Sequence, residues 1–204
     1  MLLKLLLTLA AAAELARAES SLRRGGNRRQ RLVADERGDM STALKQQYPW
    51  YHTSSELTDE VSRLAADCGG ALSVRTVNQS GVSIDVMSVK KPGTTPFNRV
   101  FLLFGEHSRE LVSPESGLRL LRVLCGDADT LPSAPSVDEL LQDTEFQFVL
   151  NSNPGSRSQV ERGKFCLRTN PSGVDLNRNW DEMWQTEAVM GSATNPGPRA
   201  FSEP

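Results

Sequence analysis

Two short apolar segments constrain the fold of this chain more than any other feature of its sequence. Residues 99–104 are apolar at consecutive positions after the first, and residues 146–150 are apolar at all but one position. Continuous apolar strands of this kind are buried on both faces of a sheet. Helical patterns fill the stretch between them, and the order strand, helix, helix, strand predicts an α/β layered domain.

Helix and hairpin signals precede the first apolar strand. Residues 53–56, Thr-Ser-Ser-Glu, have the spacing of a capping box, and the apolar positions that follow recur on one helical face. These positions are Leu57, Val61 and Leu64. The β-branched runs at 72–77 and 82–89 flank the turn-like residues 78–81 and therefore predict a β-hairpin.

Two helices are predicted between the apolar strands. The first begins with Ser113 as its N-cap and ends at Gly126. Its apolar side chains are expected to face the sheet; they are Leu118, Leu121 and Leu124. The second helix begins at Ser136, which has capping-box spacing to Glu139. After Asn151 the chain is dominated by Gly, Pro, Asn, Ser and Arg, and no further element is predicted.

Two segments are predicted before the domain: a targeting segment and then a basic segment. Residues 1–18 have the pattern of a secretory signal peptide, with Lys4, a short apolar stretch at 5–13 and a small-x-small cleavage site at 16–18. An organellar targeting helix is the alternative. Residues 19–47 form a basic segment that we expect to be disordered, because like charges repel and little there is apolar. We therefore expect a secreted or secretory-pathway protein.

Charge and hydropathy exclude two classes of partner. Lys and Arg number 23 against 25 Asp and Glu, which gives a net charge of −2. No basic excess is available to hold a phosphate backbone, so we expect no nucleic acid. No apolar run reaches the about 18 residues that a membrane helix needs, so we expect no membrane span.

Three cysteines, Cys68, Cys125 and Cys166, leave one thiol free or without its partner, and their pairing stays open. The absence of a Cys-x-x-Cys spacing excludes a cysteine zinc cluster. One N-glycosylation sequon, residues 78–80, lies in the predicted turn and is a candidate acceptor if the chain is secreted.

The first candidate site follows the strand at 99–104 directly. His107 and Glu110 are three residues apart, and both converge on one cation if the loop curls at the end of the strand. Imidazole nitrogen and carboxylate oxygen both suit zinc, and a catalytic zinc takes three protein ligands and an open position. The alternative is a hydrogen-bonded His–Glu pair on the surface.

The second candidate site lies in the loop-rich stretch at 168–180. Asn177 and Arg178 are adjacent, and Arg168 lies nine residues before Asn177. A guanidinium beside an amide is a good receptor for a carboxylate, since Arg offers a bidentate fork. A second Arg is able to polarise a carbonyl and stabilise its developing oxyanion. The alternative is that these residues are solvated turn formers.

Together the two sites resemble the zinc metallocarboxypeptidases of the pancreatic carboxypeptidase type. The His-Ser-Arg-Glu at 107–110 resembles the zinc-binding His-x-x-Glu of that family, and the residues 173–179 resemble its Gly-Val-Asp-x-Asn-Arg-Asn segment. Three further stretches resemble family motifs; they are Tyr51-His52-Thr53, Asn153-Pro154-Gly155 (without the family's Asp) and 197–204. The resemblance runs in order from Tyr51 to Pro204 and implies a mixed central sheet flanked by helices, with a catalytic domain over 48–204.

The resemblance also implies the chemistry. His107 and Glu110 would ligate Zn²⁺, whose bound water attacks the C-terminal peptide bond of a peptide or protein. The expected enzyme is a monomeric metallocarboxypeptidase.

Four arginine and asparagine residues take their roles from the same resemblance. Arg109 would contact the substrate backbone upstream of the scissile bond. Arg168 would polarise the scissile carbonyl and stabilise the oxyanion. Asn177 and Arg178 would bind the substrate's C-terminal carboxylate.

Three functional residues of the family have no counterpart here: a second zinc-binding His, a Tyr over the terminal residue and a general-base Glu. His52 precedes the first helix and is not assigned as a ligand, and Glu203 is not the family's catalytic Glu. We therefore expect the chain to be an N-terminal part of the catalytic domain that is inactive alone. The alternative is a non-catalytic module that binds peptide C-termini.

Overall fold

The computed structural model of the chain describes residues 42–130, 134–182, 184–185 and 193–204. The helices and strands of this part follow one another along the chain with short connections. In chain order they are α1 (Thr42–Gln47), α2 (Ser54–Asp67), β1 (Leu72–Gln79), β2 (Val82–Val89), β3 (Asn98–Leu103), α3 (Val112–Leu124), α4 (Val137–Asp143), β4 (Thr144–Val149), α5 (Pro154–Glu161) and a 3₁₀ helix (Leu176–Arg178).

The four strands form one mixed sheet in the order β1-β2-β4-β3. β1 pairs with β2, and β2 with β4, in antiparallel fashion, whereas β3 and β4 are parallel. A parallel pair requires a crossover connection, and α3 and α4 supply it. The prediction of an α/β fold with a mixed sheet flanked by helices is confirmed.

Helices α2 and α3 pack with one face of the sheet into the main apolar core. The predicted capping box of α2 is present, with Thr53 as N-cap and Glu56 reaching back to the Thr53 N–H. The apolar positions predicted for both helices are buried, as are the aromatic residues of β4. The core side chains include Leu57, Val61, Leu64, Leu118, Leu121, Leu124, Phe146 and Phe148.

Two local predictions were wrong in the segments that flank the strands. Ser113 does not cap α3: the helix begins at Val112 with Leu111 at the N-cap position, two residues earlier than predicted. The Ser113 hydroxyl instead accepts a hydrogen bond from the N–H of Gly105 (3.2 Å). The stretch after Asn151 contains helix α5, although no element was predicted there. Asn153 caps α5 and Pro154 opens it, and Asn-Pro is a recognised helix-start signal.

Helix α1 corrects the expected extent of the N-terminal segment. Residues 42–47 were predicted to belong to a disordered stretch, but they form a helix whose Leu44 is fully buried. Leu44 packs with Leu111 and Val160 in a second, smaller apolar cluster. The ordered domain therefore begins before residue 48. The predicted signal peptide at 1–18 lies outside the described residues, as does the basic segment up to residue 41.

The second face of the sheet is only partly covered by the described residues. Phe101 on β3 is 56% exposed, although this strand was predicted to be buried on both faces. A cavity of about 430 Å³ lies over this face, and it is lined by residues of all four strands and by the segment from the 3₁₀ helix onwards. Apolar side chains such as Val77, Ile84 and Leu103 face into it.

One disulfide joins the ends of the two core helices. Cys68 follows α2 and Cys125 follows α3, and their Cα atoms are 4.9 Å apart. Cys166 is a free and exposed thiol, in agreement with the odd cysteine count. Among the described residues, no helix is both long and apolar enough to cross a bilayer.

Candidate functional site

The turn after β3 is shaped by a position that requires glycine. Gly105 has a φ of 75°, and a Cβ atom there would lie 2.9 Å from the carbonyl oxygen of Leu150. Any side chain would therefore meet both conformational strain and the backbone at the end of β4. This close approach keeps the turn against the end of the parallel strand pair and sets the start of the 105–110 loop that carries His107.

His107 and Glu110 converge as their spacing predicts. The Nδ1 atom of buried His107 lies 2.9 Å from Oε1 of Glu110. The other ring nitrogen, Nε2, lies 2.9 Å from Oδ1 of Asp175. When Nε2 donates to the Asp175 carboxylate, Nδ1 of an uncharged ring has its lone pair toward Glu110. A lone pair facing a carboxylate oxygen is stabilised by a proton or a cation that contacts both, so the donor set fits a metal ion.

Asp175 joins the two sequence motifs. Its side chain has no exposed surface, and it accepts hydrogen bonds from Nε of Arg168 (2.9 Å) and from the N–H of Asn177 (3.1 Å) besides the one from His107. Burial acts to raise the pKa of Asp175, but the hydrogen bonds from His107 and Arg168 outweigh burial and hold its pKa below the usual value. A fixed carboxylate that contacts one ring nitrogen of a histidine sets the ring's orientation and which nitrogen is left free.

Asp175 lies inside the motif at 173–179, but its role was not predicted from the sequence. No local spacing connects Asp175 with His107, which lies 68 residues earlier in the chain. The position of Asp175 two residues before the predicted carboxylate-binding pair was the available sequence signal for a role in the site. In the structure its side chain also caps the 3₁₀ helix.

Of the four remaining predicted site residues, one contacts the His107–Glu110–Asp175 cluster and three face solvent. Arg168 joins it: its Nη1 lies 3.7 Å from Glu110 Oε1. Arg109, Asn177 and Arg178 are exposed. Arg178 donates from Nη1 to the carbonyl of Asn177 (2.8 Å), and no carboxylate of the described residues pairs with it.

The segment beyond the 3₁₀ helix is held by the last residue of the Asn-Arg-Asn motif. Nδ2 of buried Asn179 lies 2.7 Å from the carbonyl of Pro196 and 2.9 Å from the Ser202 hydroxyl. Glu203 accepts from the side-chain amide of Asn170 at 2.6 Å. These bonds fix the loop that presents the exposed Asn-Arg pair.

A second His–Glu pair lies elsewhere in the fold. Nδ1 of His52 is 2.8 Å from Oε2 of Glu115, and the backbone N–H of His52 donates to the same carboxylate at 2.7 Å. Across the residues that the structure describes, no group of three or more His, Cys, Asp or Glu side chains is placed to hold a metal ion. The described part of the candidate site thus offers the two groups predicted as ligands, His107 and Glu110.

Comparison with solved structures identifies the fold as that of a carboxypeptidase. Thrombin activatable fibrinolysis inhibitor matches with a TM-score of 0.64 at 19% identity, over 83% of this chain and 45% of that one. Carboxypeptidase A from Helicoverpa armigera matches with a TM-score of 0.60 at 20% identity, over 96% of this chain and 47% of that one.

A family model for zinc carboxypeptidases matches residues 57–204, and the chain therefore belongs to the zinc carboxypeptidase family. Zinc carboxypeptidase A 1 of Anopheles gambiae is 28% identical over 192 residues, which cover 85% of this chain and 42% of that protein. The chain spans about two fifths of the length of the curated relatives that it matches. The family resemblance predicted from the sequence, to the N-terminal part of the catalytic domain, is confirmed.

Proposed function

We propose that this chain is part of a zinc-dependent metallocarboxypeptidase that removes the C-terminal residue of peptides or proteins. The observation that carries the proposal is the facing pair of His107 Nδ1 and Glu110 Oε1, 2.9 Å apart, backed by the buried Asp175. His107 and Glu110 are the residues that would hold zinc. Zinc, when bound, supplies a Lewis acid that activates water and polarises a carbonyl.

Arg168 is proposed to act on the scissile carbonyl. The Nε of Arg168 donates a hydrogen bond to Asp175, and only 16% of the Arg168 side chain is exposed. The guanidinium therefore has little freedom to reorient. A donor fixed before the reaction needs no reorganisation when negative charge develops on the carbonyl oxygen. The distance of 3.7 Å between Nη1 of Arg168 and Oε1 of Glu110 supports a position of this guanidinium beside the proposed metal ligands.

Asn177, Arg178 and Arg109 are proposed to bind the substrate. Their exposure leaves the side-chain amide and both guanidinium groups accessible to a peptide. The Arg178 guanidinium has no carboxylate partner among the described residues, which supports its binding of the substrate's terminal carboxylate beside Asn177. Arg109, on the loop between His107 and Glu110, would contact the peptide backbone upstream of the scissile bond.

The compartment is part of the same proposal. We propose that the protein enters the secretory pathway through residues 1–18 and acts there or outside the cell as a monomer. The Cys68–Cys125 disulfide is compatible with an oxidising compartment.

Replacing Glu110 with alanine tests the proposed metal site. We expect the affinity of the metal-free protein for zinc to fall by at least about 100-fold, since even the outer-shell partners of a metal contribute 10–100-fold. The measurement is a zinc titration in competition with a chromogenic chelator. Glu115→Ala is the matched control, because Glu115 faces the other histidine in the same way. Unchanged zinc affinity in Glu110→Ala would show that the ligand assignment is wrong.

Replacing Arg178 with alanine tests the proposed binding of C-termini. We expect the affinity for a peptide with a free C-terminus to fall about 10- to 100-fold, since a hydrogen bond to a charged group contributes about 1.5–3 kcal/mol. The affinity for the same peptide with an amidated C-terminus is expected to change little. Fluorescence anisotropy of labelled peptides measures both, and equal losses for the two peptides would contradict the role.

A further inference from the structure

The tip of the β1–β2 hairpin carries the sequence pattern of a covalent modification. Residues 78–80 read Asn-Gln-Ser, the acceptor pattern Asn-x-Ser/Thr with a middle residue other than proline. No other Asn in the sequence satisfies this pattern. Asn170 has a Ser at the same spacing, but Pro171 lies between them and the Asn170 side chain is buried.

The structure presents this sequon in a tight, exposed turn. Ser80 and Gly81 both have positive φ values, 50° and 79°, as a two-residue type I′ hairpin requires. Asn78 is exposed and pairs with Ser83 across the hairpin. Its Oδ1 accepts a hydrogen bond from the Ser83 hydroxyl, whereas its Nδ2 has no partner among the described residues. The nitrogen that a glycan would occupy is thus free, and the bond that orients the amide uses the other atom.

The two faces of the hairpin differ in a way that keeps a large group at Asn78 away from the cavity. Val77 and Gln79 point into the cavity over the open sheet face. Successive side chains on a strand point to opposite faces, so Asn78 lies on the other side. A sugar chain there leaves both the cavity and the residues lining its far side, such as Trp180, uncovered.

We propose that Asn78 is an N-glycosylation site. The inference rests on the secretory entry included in the proposed function, because the reaction takes place in that pathway. In the reaction, Nδ2 of Asn78 forms a bond to the anomeric carbon of a lipid-linked oligosaccharide diphosphate. The bond between that carbon and the diphosphate oxygen breaks, the lipid diphosphate leaves, and Nδ2 loses one proton.

The position of the glycan has a consequence for the sheet. β1 is an edge strand of the described sheet, and an edge strand presents unpaired backbone groups to other chains. The residues of β1 before the turn are largely exposed. A bulky, hydrated group at the end of this strand hinders its pairing with a strand of another molecule.

In vitro translation of the 204-residue chain with secretory microsomes tests the inference. Each product is made with its own first 18 residues or with a well-characterised signal peptide in their place. Translocation is read as protection from added protease, and glycosylation as a mobility shift that an amidase specific for N-glycans removes. Asn78→Gln and Ser80→Ala are expected to lose the shift, and Ser80→Thr to retain it. Ser83→Ala is the matched control, because it removes the hydrogen bond but keeps the sequon.

The outcomes separate the two proposals. A mobility shift that occurs with either signal peptide, is lost in Asn78→Gln and is retained in Ser83→Ala supports both the glycosylation of Asn78 and the secretory entry. A shift only with the substituted leader supports Asn78 as an acceptor and overturns the secretory entry of the natural chain. A protected chain without any shift overturns the glycosylation inference and leaves the secretory entry standing. A shift that persists in Asn78→Gln also overturns the assignment.

Discussion

Asp175→Ala is expected to lower the free energy of unfolding by about 3–5 kcal/mol, the cost of leaving a buried charge without its partner. Asp175 is fully buried and bonds to His107, to Arg168 and to a backbone N–H. Its removal leaves the largely buried Arg168 guanidinium without its closest carboxylate. Urea unfolding followed by circular dichroism measures the loss as a lower midpoint at an unchanged slope.

Glu110→Ala is the matched control for this prediction. Glu110 contacts the same two side chains, His107 and Arg168, but 48% of its side chain is exposed. Exposed ion pairs contribute at most about 1 kcal/mol, so this variant is expected to unfold close to the wild type. Equal losses in the two variants would contradict the role of buried Asp175. The nitrogen-15 shifts of His107 provide a second readout, because Asp175→Ala also removes the group that selects its tautomer.

Loss of the Cys68–Cys125 disulfide is expected to cost a comparable amount. The bond joins residues 57 apart in sequence, and a closed loop of that length stabilises a fold by about 4 kcal/mol in the chain-entropy description. A domain has only about 5–15 kcal/mol of net stability, so the Cys68→Ser/Cys125→Ser protein should be unfolded at much lower urea concentrations than the wild type.

Cys166→Ser controls for the removal of cysteine itself. Cys166 is free and exposed, so its replacement is expected to change the stability by less than about 0.5 kcal/mol. A reducing agent should reproduce the effect of the double substitution on the wild type and have no effect on the double variant. A loss below about 1 kcal/mol in the double variant would refute the stabilising role. Ion pairs of Arg63 with Asp127 also connect the two helix ends, but they are exposed and contribute little.

The parts of the fold that could be predicted from the sequence are those with local causes. The capping box at Thr53 and Glu56 lies within four residues, and the buried face of α2 follows from helical spacing. The convergence of His107 and Glu110 has the same origin, since three residues of a tight loop bring them together. All residues that contribute to such a signal lie within a few positions of one another, so the signal does not depend on the rest of the fold.

The features that were missed depend on distant contacts. Ser113 has every local property of a helix cap, yet its hydroxyl bonds to Gly105, because the turn after β3 lies against α3. Helix α1 is short and polar at most positions, and it packs through Leu44 on residues more than 60 positions away. The roles of Asp175 and of the disulfide arise in the same way, from chain segments that only the folded sheet brings together.

The sheet face that the described residues leave open also affects the thermodynamics of this part of the chain. Phe101, Val77 and Ile84 line a cavity that is accessible in the folded state. Unfolding raises the heat capacity in proportion to the apolar surface that becomes newly hydrated, about 12–15 cal/mol/K per residue in typical domains. Side chains that already contact water add little to this increment. The stability of the described domain should therefore vary with temperature along a flatter curve than its length alone implies.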